Sequence, residues 1–205
     1  MAKGNVFIVS GPSGVGKGTM VDMVNRKRGD VFLSVSCTTR APRDGEVDGV
    51  NYHYITKEEF KKRIDEDYFI EWEKYLDNYY GTPKGPVIKA MEEGKHTILE
   101  IEVGGALKAK KHFPDAILVF VLPPNYDELK NRLIKRDEKD ALAISAMEKR
   151  LNRALEEVEF IKEYDYVIIN DSLTDAVASL DKILDTEFLK VKNNEKAIKS
   201  FLGKR

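Results

Sequence analysis

The segment Gly11-Pro12-Ser13-Gly14-Val15-Gly16-Lys17-Gly18-Thr19 constrains this chain more than any other. It follows the apolar run Val6 to Val9 and opens a helix-like stretch through Met20, Val21, Met23 and Val24. Glycines let a backbone turn its N–H groups inward, and the start of the following helix adds the positive end of its dipole. The result is an anion cradle in which Lys17 would reach the β- and γ-phosphates of a nucleotide as a point charge. An ordinary strand-to-helix turn needs neither the glycines nor the lysine. The usual phosphate loop follows its lysine directly with Ser or Thr, whose hydroxyl ligates Mg²⁺. Here Gly18 precedes Thr19. Either Mg²⁺ is held mainly by phosphates and water, or Thr19 takes a shifted role.

The rest of the chain fits the same architecture. Short apolar runs at Val6 to Val9, Thr97 to Ile101, Ile117 to Leu122 and Val167 to Ile169 suit strands buried on both faces. Helical stretches alternate with them. One starts at Thr82-Pro83, read as N-cap and first turn, and stops at Gly94. Others cover Asp127 to Arg136, Met147 to Lys162 and Thr174 to Leu189. The alternation predicts an α/β fold, a central parallel sheet flanked by helices. Residues 34–82 break the alternation with β-like pieces (Tyr52 to Ile55, Phe69 to Trp72) and one helix opened by the capping box Thr56-x-x-Glu59. They read as an inserted subdomain, and the charged, then Ala-rich 137–146 as a lid. The core is then 1–33, 83–136 and 147–190, within a single domain spanning 1–205, and 191–205 is a terminal tail read as a frayed helix.

Basic and acidic residues nearly balance, 34 against 35, for a net charge of -1. That balance gives no electrostatic reason to expect nucleic acid or an anionic membrane as partner. No apolar run approaches the roughly 18 residues of a membrane span, and Val6 to Val9 is too short for a secretory signal. A cytoplasmic protein is expected. The lone Cys37 excludes an intramolecular disulfide and reads as a small buried residue. His53, His96 and His112 are scattered and are assigned no ligand role.

Carboxylates and arginines supply the remaining candidates. Glu100 and Glu102 close the third apolar run, where a strand would aim both at one face. Such a pair calls for a cation or hydrogen-bond donors between them. Ser34 to Arg43 gathers hydroxyls with Arg40 and Arg43, and Glu46, Tyr52, Glu71 and Asn78-Tyr79-Tyr80-Gly81-Thr82 follow. Arginine forks bind phosphate bidentately, and Tyr and Ser hydroxyls can complete the shell.

Taken together, the glycine loop, Ser-x-Ser-x-Thr-Thr-Arg-x-Pro-Arg-x-Gly-Glu (34–46), Phe69-Ile70-Glu71-Trp72, Asn78 to Thr82, Glu100-Ile101-Glu102 and Val167 to Asp171 resemble the guanylate kinase family in order and spacing, over roughly residues 4–189. The resemblance implies a P-loop kinase that moves the γ-phosphoryl of ATP onto GMP, or dGMP, with Mg²⁺. It makes 34–82 a GMP-binding subdomain. Arg40 and Arg43 would clamp the GMP phosphate with Tyr52 and Tyr80. Glu71, Glu102 and Ser36, with Thr82 nearby, would read guanine, and Glu46 and Gly81 belong to the same implied set. Residues Gly11 to Thr19 and Asn170 would hold ATP, with Asn170 beside the adenine. Glu100 would sit near Mg²⁺ and contact it through water. Lys17, Arg132, Arg136 and Arg150 would neutralise the transferring phosphates, with Arg153 a rival for the place of Arg150. Guanine shows two adjacent donors, N1–H and the 2-amino group, that suit carboxylate acceptors, whereas adenine would leave a buried carboxylate unpaired. Another small-molecule P-loop kinase would keep the loop but lack the pairing of Glu71 and Glu102 with Tyr52 and Tyr80. A non-catalytic scaffold of this kind would have an eroded loop. Gly104-Gly105 stands where the family commonly has Gln-Gly and receives no role.

Overall fold

Strand β1 (Val6–Ser10) is buried along its whole length, and its side chains alternate between two cores. Phe7 and Val9 enter one cluster; Val6 and Ile8 enter another. A strand buried on both faces belongs to the centre of a parallel sheet. The computed structural model, which describes residues 4–75, 77–137 and 147–203, has that arrangement. Strands β2 (Val31–Leu33), β7 (His96–Glu100), β8 (Ile117–Leu122) and β9 (Tyr166–Ile169) join β1 in the order β2-β7-β1-β8-β9, every pairing parallel.

Helices cover both faces. Helix α1 (Lys17–Lys27) brings Met20, Val21 and Val24 to one face, where Ala176, Val177, Leu180, Ile183 and Leu184 of α7 (Leu173–Phe188) join them. Leu129 and Leu133 of α5 (Tyr126–Asp137) and Leu151 and Ala154 of α6 (Met147–Val158) complete that core. On the other face lie Val87 and Met91 of α3 (Lys84–Glu92) with Ala106 and Ala109 of α4 (Val103–His112).

A second, four-stranded sheet of order β4-β3-β6-β5 comprises β3 (Cys37–Thr38), β4 (His53–Tyr54), β5 (Phe69–Tyr75) and β6 (Asn78–Pro83). β5 and β6 form an antiparallel hairpin. The sheet has its own small core of Cys37, Phe60 and Phe69. Phe60 comes from α2 (Lys57–Asp65), whose first turn is fixed by its capping residue: Thr56 Oγ1 accepts from the Glu59 N–H at 3.1 Å. Phe69 faces this small core while its neighbour Ile70 faces the large one, so the chain passes between the two cores at that peptide.

Several expectations need correction. Thr82 is not a helix cap: it pairs with Glu71 inside the sheet, and Pro83 takes the N-cap position of α3. Gly94 follows the end of α3 at φ 81°. Strand β2 has only three residues, too few to show a period in the sequence. Glu102 is not on a strand, because β7 ends at Glu100 and Glu102 is the N-cap residue of α4, so strand alternation does not set where it points. The helix read over 147–162 ends at Val158 and tightens into a 3-10 segment, Glu159–Glu163. The tail is tied down rather than frayed at its start. Asn193 Nδ2 donates to the Glu187 carbonyl at 2.7 Å, and Asn194 Nδ2 donates to Phe188 at 2.9 Å, ahead of a short helix α8 (Glu195–Phe201). The expected lid, 137–146, lies outside the described residues apart from Asp137 at the end of α5.

Candidate active site

The carboxyl ends of β1 and β7 open onto one crevice, at the point where the chain switches from one side of β1 to the other. Open α/β sheets bind ligands at such a point. The glycine loop leaves β1 there and turns directly into α1. Gly16 occupies the N-cap position of α1 at φ 89°, and a Cβ on it would stand 2.5 Å from Asn170 Nδ2. Only glycine meets both demands. Asn170, buried after β9, donates to the Val15 carbonyl at 2.7 Å and so braces the loop from behind. Its own carbonyl accepts from Arg132 at 2.9 Å, and Arg132 Nε is held by Glu128 at 2.6 Å. Arg150 reaches the same loop, donating to Ser13 Oγ at 3.1 Å. Lys17 is only 6% exposed, and its ammonium donates to the Gly11 and Pro12 carbonyls, the latter at 3.0 Å. It is preorganised within the loop.

Gly18 and Thr19 are exposed on the first turn of α1. A Cβ on Gly18 would lie 3.3 Å from the Glu100 carboxylate. The glycine that interrupts the usual motif therefore leaves room for this carboxylate beside the lysine. Among the described residues no group of three or more His, Cys, Asp or Glu could hold a metal ion. An oxygen-liganded cation here fits one carboxylate, with the remaining ligands coming from phosphate and water.

Across the crevice, the second sheet presents Glu71. It is 6% exposed, accepts from Thr82 Oγ1 at 2.6 Å, and Thr82 in turn meets Ser36 Oγ at 3.5 Å. Burial pushes the Glu71 carboxyl up to about 7; the Thr82 hydrogen bond opposes that rise and nearby Glu73 adds to it. The carboxylate lies against the first turn of α4, where a Cβ on Gly105 would fall 2.5 Å from Glu71 Oε2. Gly105 thus supplies the space that Glu71 fills. Glu102 stands one turn earlier on the same helix, and its Oε2 is buried with no hydrogen-bond partner among the described residues. A buried acceptor without a donor is costly in isolation and suits a ligand that brings one.

The arginine loop is organised by Glu46. Its carboxylate pairs with Arg40 at 2.9 Å, accepts from the Arg43 N–H at 2.8 Å and from the Tyr54 hydroxyl at 2.8 Å. Desolvation pushes the Glu46 carboxyl up, but these donors outweigh it and hold it down at about 2. Arg40 lies 5.5 Å from the Tyr52 ring centroid, and Tyr52 packs edge-on to Tyr80 at 6.0 Å. The Arg43 side chain is exposed. Burial, followed by the field of Glu100, raises the Tyr52 hydroxyl pKa. Gly81 packs beneath Phe60 and Phe69, 2.9 Å from each ring if it carried a Cβ, so it is a packing residue of the small core.

Arg153 goes elsewhere. It pairs with Glu157 at 2.9 Å and lies over the Tyr75 ring, 4.4 Å from its centroid. The Arg136 side chain is outside the described residues. Cys37 is buried and accepts from Arg63 at 3.6 Å. The sequence reading missed Tyr54, Glu128, Glu157 and Tyr75. Tyr54 could have been found, since Tyr52-x-Tyr54 puts both rings on one strand face.

Fold and crevice together define an α/β P-loop kinase: a parallel sheet, a phosphate loop at its switch point, and a second site on an inserted sheet facing it. Comparison with known proteins narrows this. The guanylate kinase family model matches residues 3–187. A guanylate kinase of Clostridium perfringens is 47% identical, covering 92% of this chain and 86% of that one. One from Caldanaerobacter subterraneus is 46% identical over 94% and 92%. The crystal structure of guanylate kinase from Anaplasma phagocytophilum superposes with a TM-score of 0.80 at 27% identity, covering 97% of this chain and 94% of that one. The chain belongs to the guanylate kinase family.

Proposed function

We propose that this protein transfers the γ-phosphoryl group of ATP to GMP, giving ADP and GDP. The observation that carries this reading is the pair of carboxylates at the start of α4. Glu71 is buried and held by Thr82, and Glu102 presents a buried, unpartnered oxygen one helical turn from the glycine that houses Glu71. Two adjacent donors on guanine would complete that pair. Adenine, with an acceptor at N1 and no 2-amino group, would leave it unsatisfied, a difference that can reach about 10⁴-fold in selectivity.

The acceptor is already an anionic phosphate, so a general base has little to do. The reaction needs in-line placement and neutralised charge. Arg40, fixed by Glu46 and flanked by Tyr52 and Tyr80, would hold the acceptor phosphate, with Arg43 closing on it. Lys17 and the loop N–H groups would hold the donor phosphates, and Arg132 and Arg150, both tied to the loop or its brace, would meet the charge that develops between them. By the family resemblance Arg136 would join them; its side chain lies outside the described residues. Glu100 would help to hold Mg²⁺, and the ion would supply further neutralisation of the donor phosphates. Asn170 would act beside the ATP site by bracing the loop. Closure of the acceptor sheet would exclude water, which otherwise consumes ATP.

The test is ADP formation from Mg·ATP with GMP, AMP, CMP and UMP offered in turn. Fast release with GMP alone is expected. Activity with a different acceptor would keep the P-loop kinase and discard the guanine-reading carboxylates. Folded protein that binds GMP and turns over none of the four would turn the reading toward a binding module.

A further inference from the structure

We propose that Arg153 and Tyr75 form a clasp that ties α6 to the acceptor hairpin and sets the affinity for GMP, so that Arg153 is a positioning residue and not a ligand of the transferring phosphate. The proposal rests on the acceptor reading above. Tyr75 ends β5, the strand that carries Glu71, and α6 begins directly after the expected lid segment. The Arg153 guanidinium lies 4.4 Å from the Tyr75 ring centroid, well inside the range of a cation–π contact. Its Nε is fixed by Glu157 Oε1 at 2.9 Å, and Glu157 is only 8% exposed. The cation is thus held by a buried carboxylate on its own helix and laid on a ring from the other sheet.

Position gives this contact leverage. The hairpin leaves the large core at Ile70, and Tyr75 stands five residues further on, about 17 Å at the usual rise per residue. A tether at the far end restrains the swing of the whole hairpin more than one near the hinge. The contact also bears on the guanine-reading groups. The charge of Glu102 bears on Glu157, and both bear on the Tyr75 hydroxyl, as do Arg150 and Arg153. By neutralising Glu157, Arg153 leaves Glu102 as the carboxylate with an unpartnered oxygen. Arg150, one turn earlier, reaches Ser13 of the phosphate loop instead. The two arginines divide the crevice between them, Arg150 on the donor side and Arg153 on the acceptor side.

The test compares Tyr75→Ala, Tyr75→Phe, Arg153→Gln and the double variant Tyr75→Ala/Arg153→Gln. Tyr75→Ala and Arg153→Gln should each raise the KM for GMP about 2- to 30-fold, the range that loss of a cation–π contact allows, while the KM for ATP moves much less. The double variant should be little worse than the poorer single one, because both break the same contact. Tyr75→Phe, which keeps the ring, should behave as the parent. Additive losses, or a fall in kcat for Arg153→Gln with the KM for GMP unchanged, would overturn the clasp and return Arg153 to the phosphates. Amide hydrogen exchange of the ligand-free proteins separates this from failure of the GMP reading. Tyr75→Ala should speed exchange in β5 and β6 and leave β1 and β8 protected. Unaltered hairpin exchange would refute the clasp whatever the acceptor proves to be.

Discussion

At the scale of single residues, the site depends on two buried charged groups with opposite requirements. Lys17 must stay charged, and two backbone carbonyls accept from its ammonium before any nucleotide arrives. Lys17→Met keeps the length and loses the charge. We expect kcat to fall by about 10²- to 10³-fold or more, the cost of removing a preorganised electrostatic contact to a transition state, with an unchanged far-UV circular dichroism spectrum. Near-normal turnover would remove Lys17 from the mechanism. In the role proposed for it, Glu71 must lose a proton to accept from guanine, yet burial raises its carboxyl from 4.5 to about 7. Between those values the folded protein retains a proton that the unfolded chain has released. Stability therefore declines as pH rises through this window, while GMP affinity increases toward and above pH 7. Glu71→Gln should abolish both trends. Urea unfolding at pH 5 and pH 8 should show the variant gaining on the parent with rising pH, by roughly 3 kcal/mol at most, and calorimetry should show GMP binding weakened far more than ATP binding. The ionisation of the GMP phosphate affects both proteins alike, so the ratio between them isolates Glu71. Parallel pH profiles would mean that this carboxyl does not titrate in the range.

At the scale of elements, the first turn of α4 does more than its sequence discloses. Gly104-Gly105 reads as a poor helix start, and intrinsic propensity would favour alanine by about 1 kcal/mol per position. The structure gives the reason for Gly105: a methyl group there would stand 2.5 Å from Oε2 of the buried Glu71, whose other oxygen, Oε1, accepts from Thr82. Gly105→Ala should leave the melting temperature near that of the parent, helix propensity offsetting local crowding. It should raise the KM for GMP about tenfold or more by displacing Glu71, the scale expected when a buried polar group is left mispaired, with the KM for ATP unchanged. Equal effects on both substrates would place the clash elsewhere. The same turn marks the boundary of what the sequence discloses. Val6 to Val9 and Ile117 to Leu122 announced their strands, and Thr56-x-x-Glu59 announced its helix, because apolar runs and capping are local. Thr82-Pro83 carried a genuine helix-start pattern, which pairing with Glu71 overrode. The links from Glu46 to Tyr54, Asn170 to Val15 and Arg153 to Tyr75 join residues whose proximity only the folded chain creates. Glu157, which holds Arg153, left a faint trace of its own, a carboxylate in helical phase with Leu151 and Ala154.

At the scale of the whole molecule, the two cores are unequal, and on the proposed reading each carries the site of a different substrate. The large sheet is packed on both faces, whereas the acceptor sheet relies on Cys37, Phe60 and Phe69, with Ile55, Ile64 and Tyr79 packed around them. Phe60 is the keystone, fully buried and stacked on Phe69 at 4.5 Å and on Tyr79 at 5.4 Å. Truncating a buried phenylalanine costs about 3–5 kcal/mol. A core this small has little reserve against such a loss, and stability within a protein is not uniform. Phe60→Ala should therefore melt the acceptor sheet locally while β1, the phosphate loop and α1 remain folded. Amide exchange should accelerate across β3, β5 and β6 and stay slow in β1 and β8. Calorimetry should show GMP binding lost and binding of a non-hydrolysable ATP analogue retained. The opposite substitution belongs to the other core: Ile70→Ala, one residue beyond Phe69, removes packing from the cluster that holds Ile8, Leu99 and Leu118 and should lower the global unfolding midpoint. If Phe60→Ala instead abolished both binding events in a single cooperative transition, the two sheets would be one folding unit. Acceptor-sheet closure would then have to come from bending within that unit, and adjacent residues facing different cores would no longer mark a hinge.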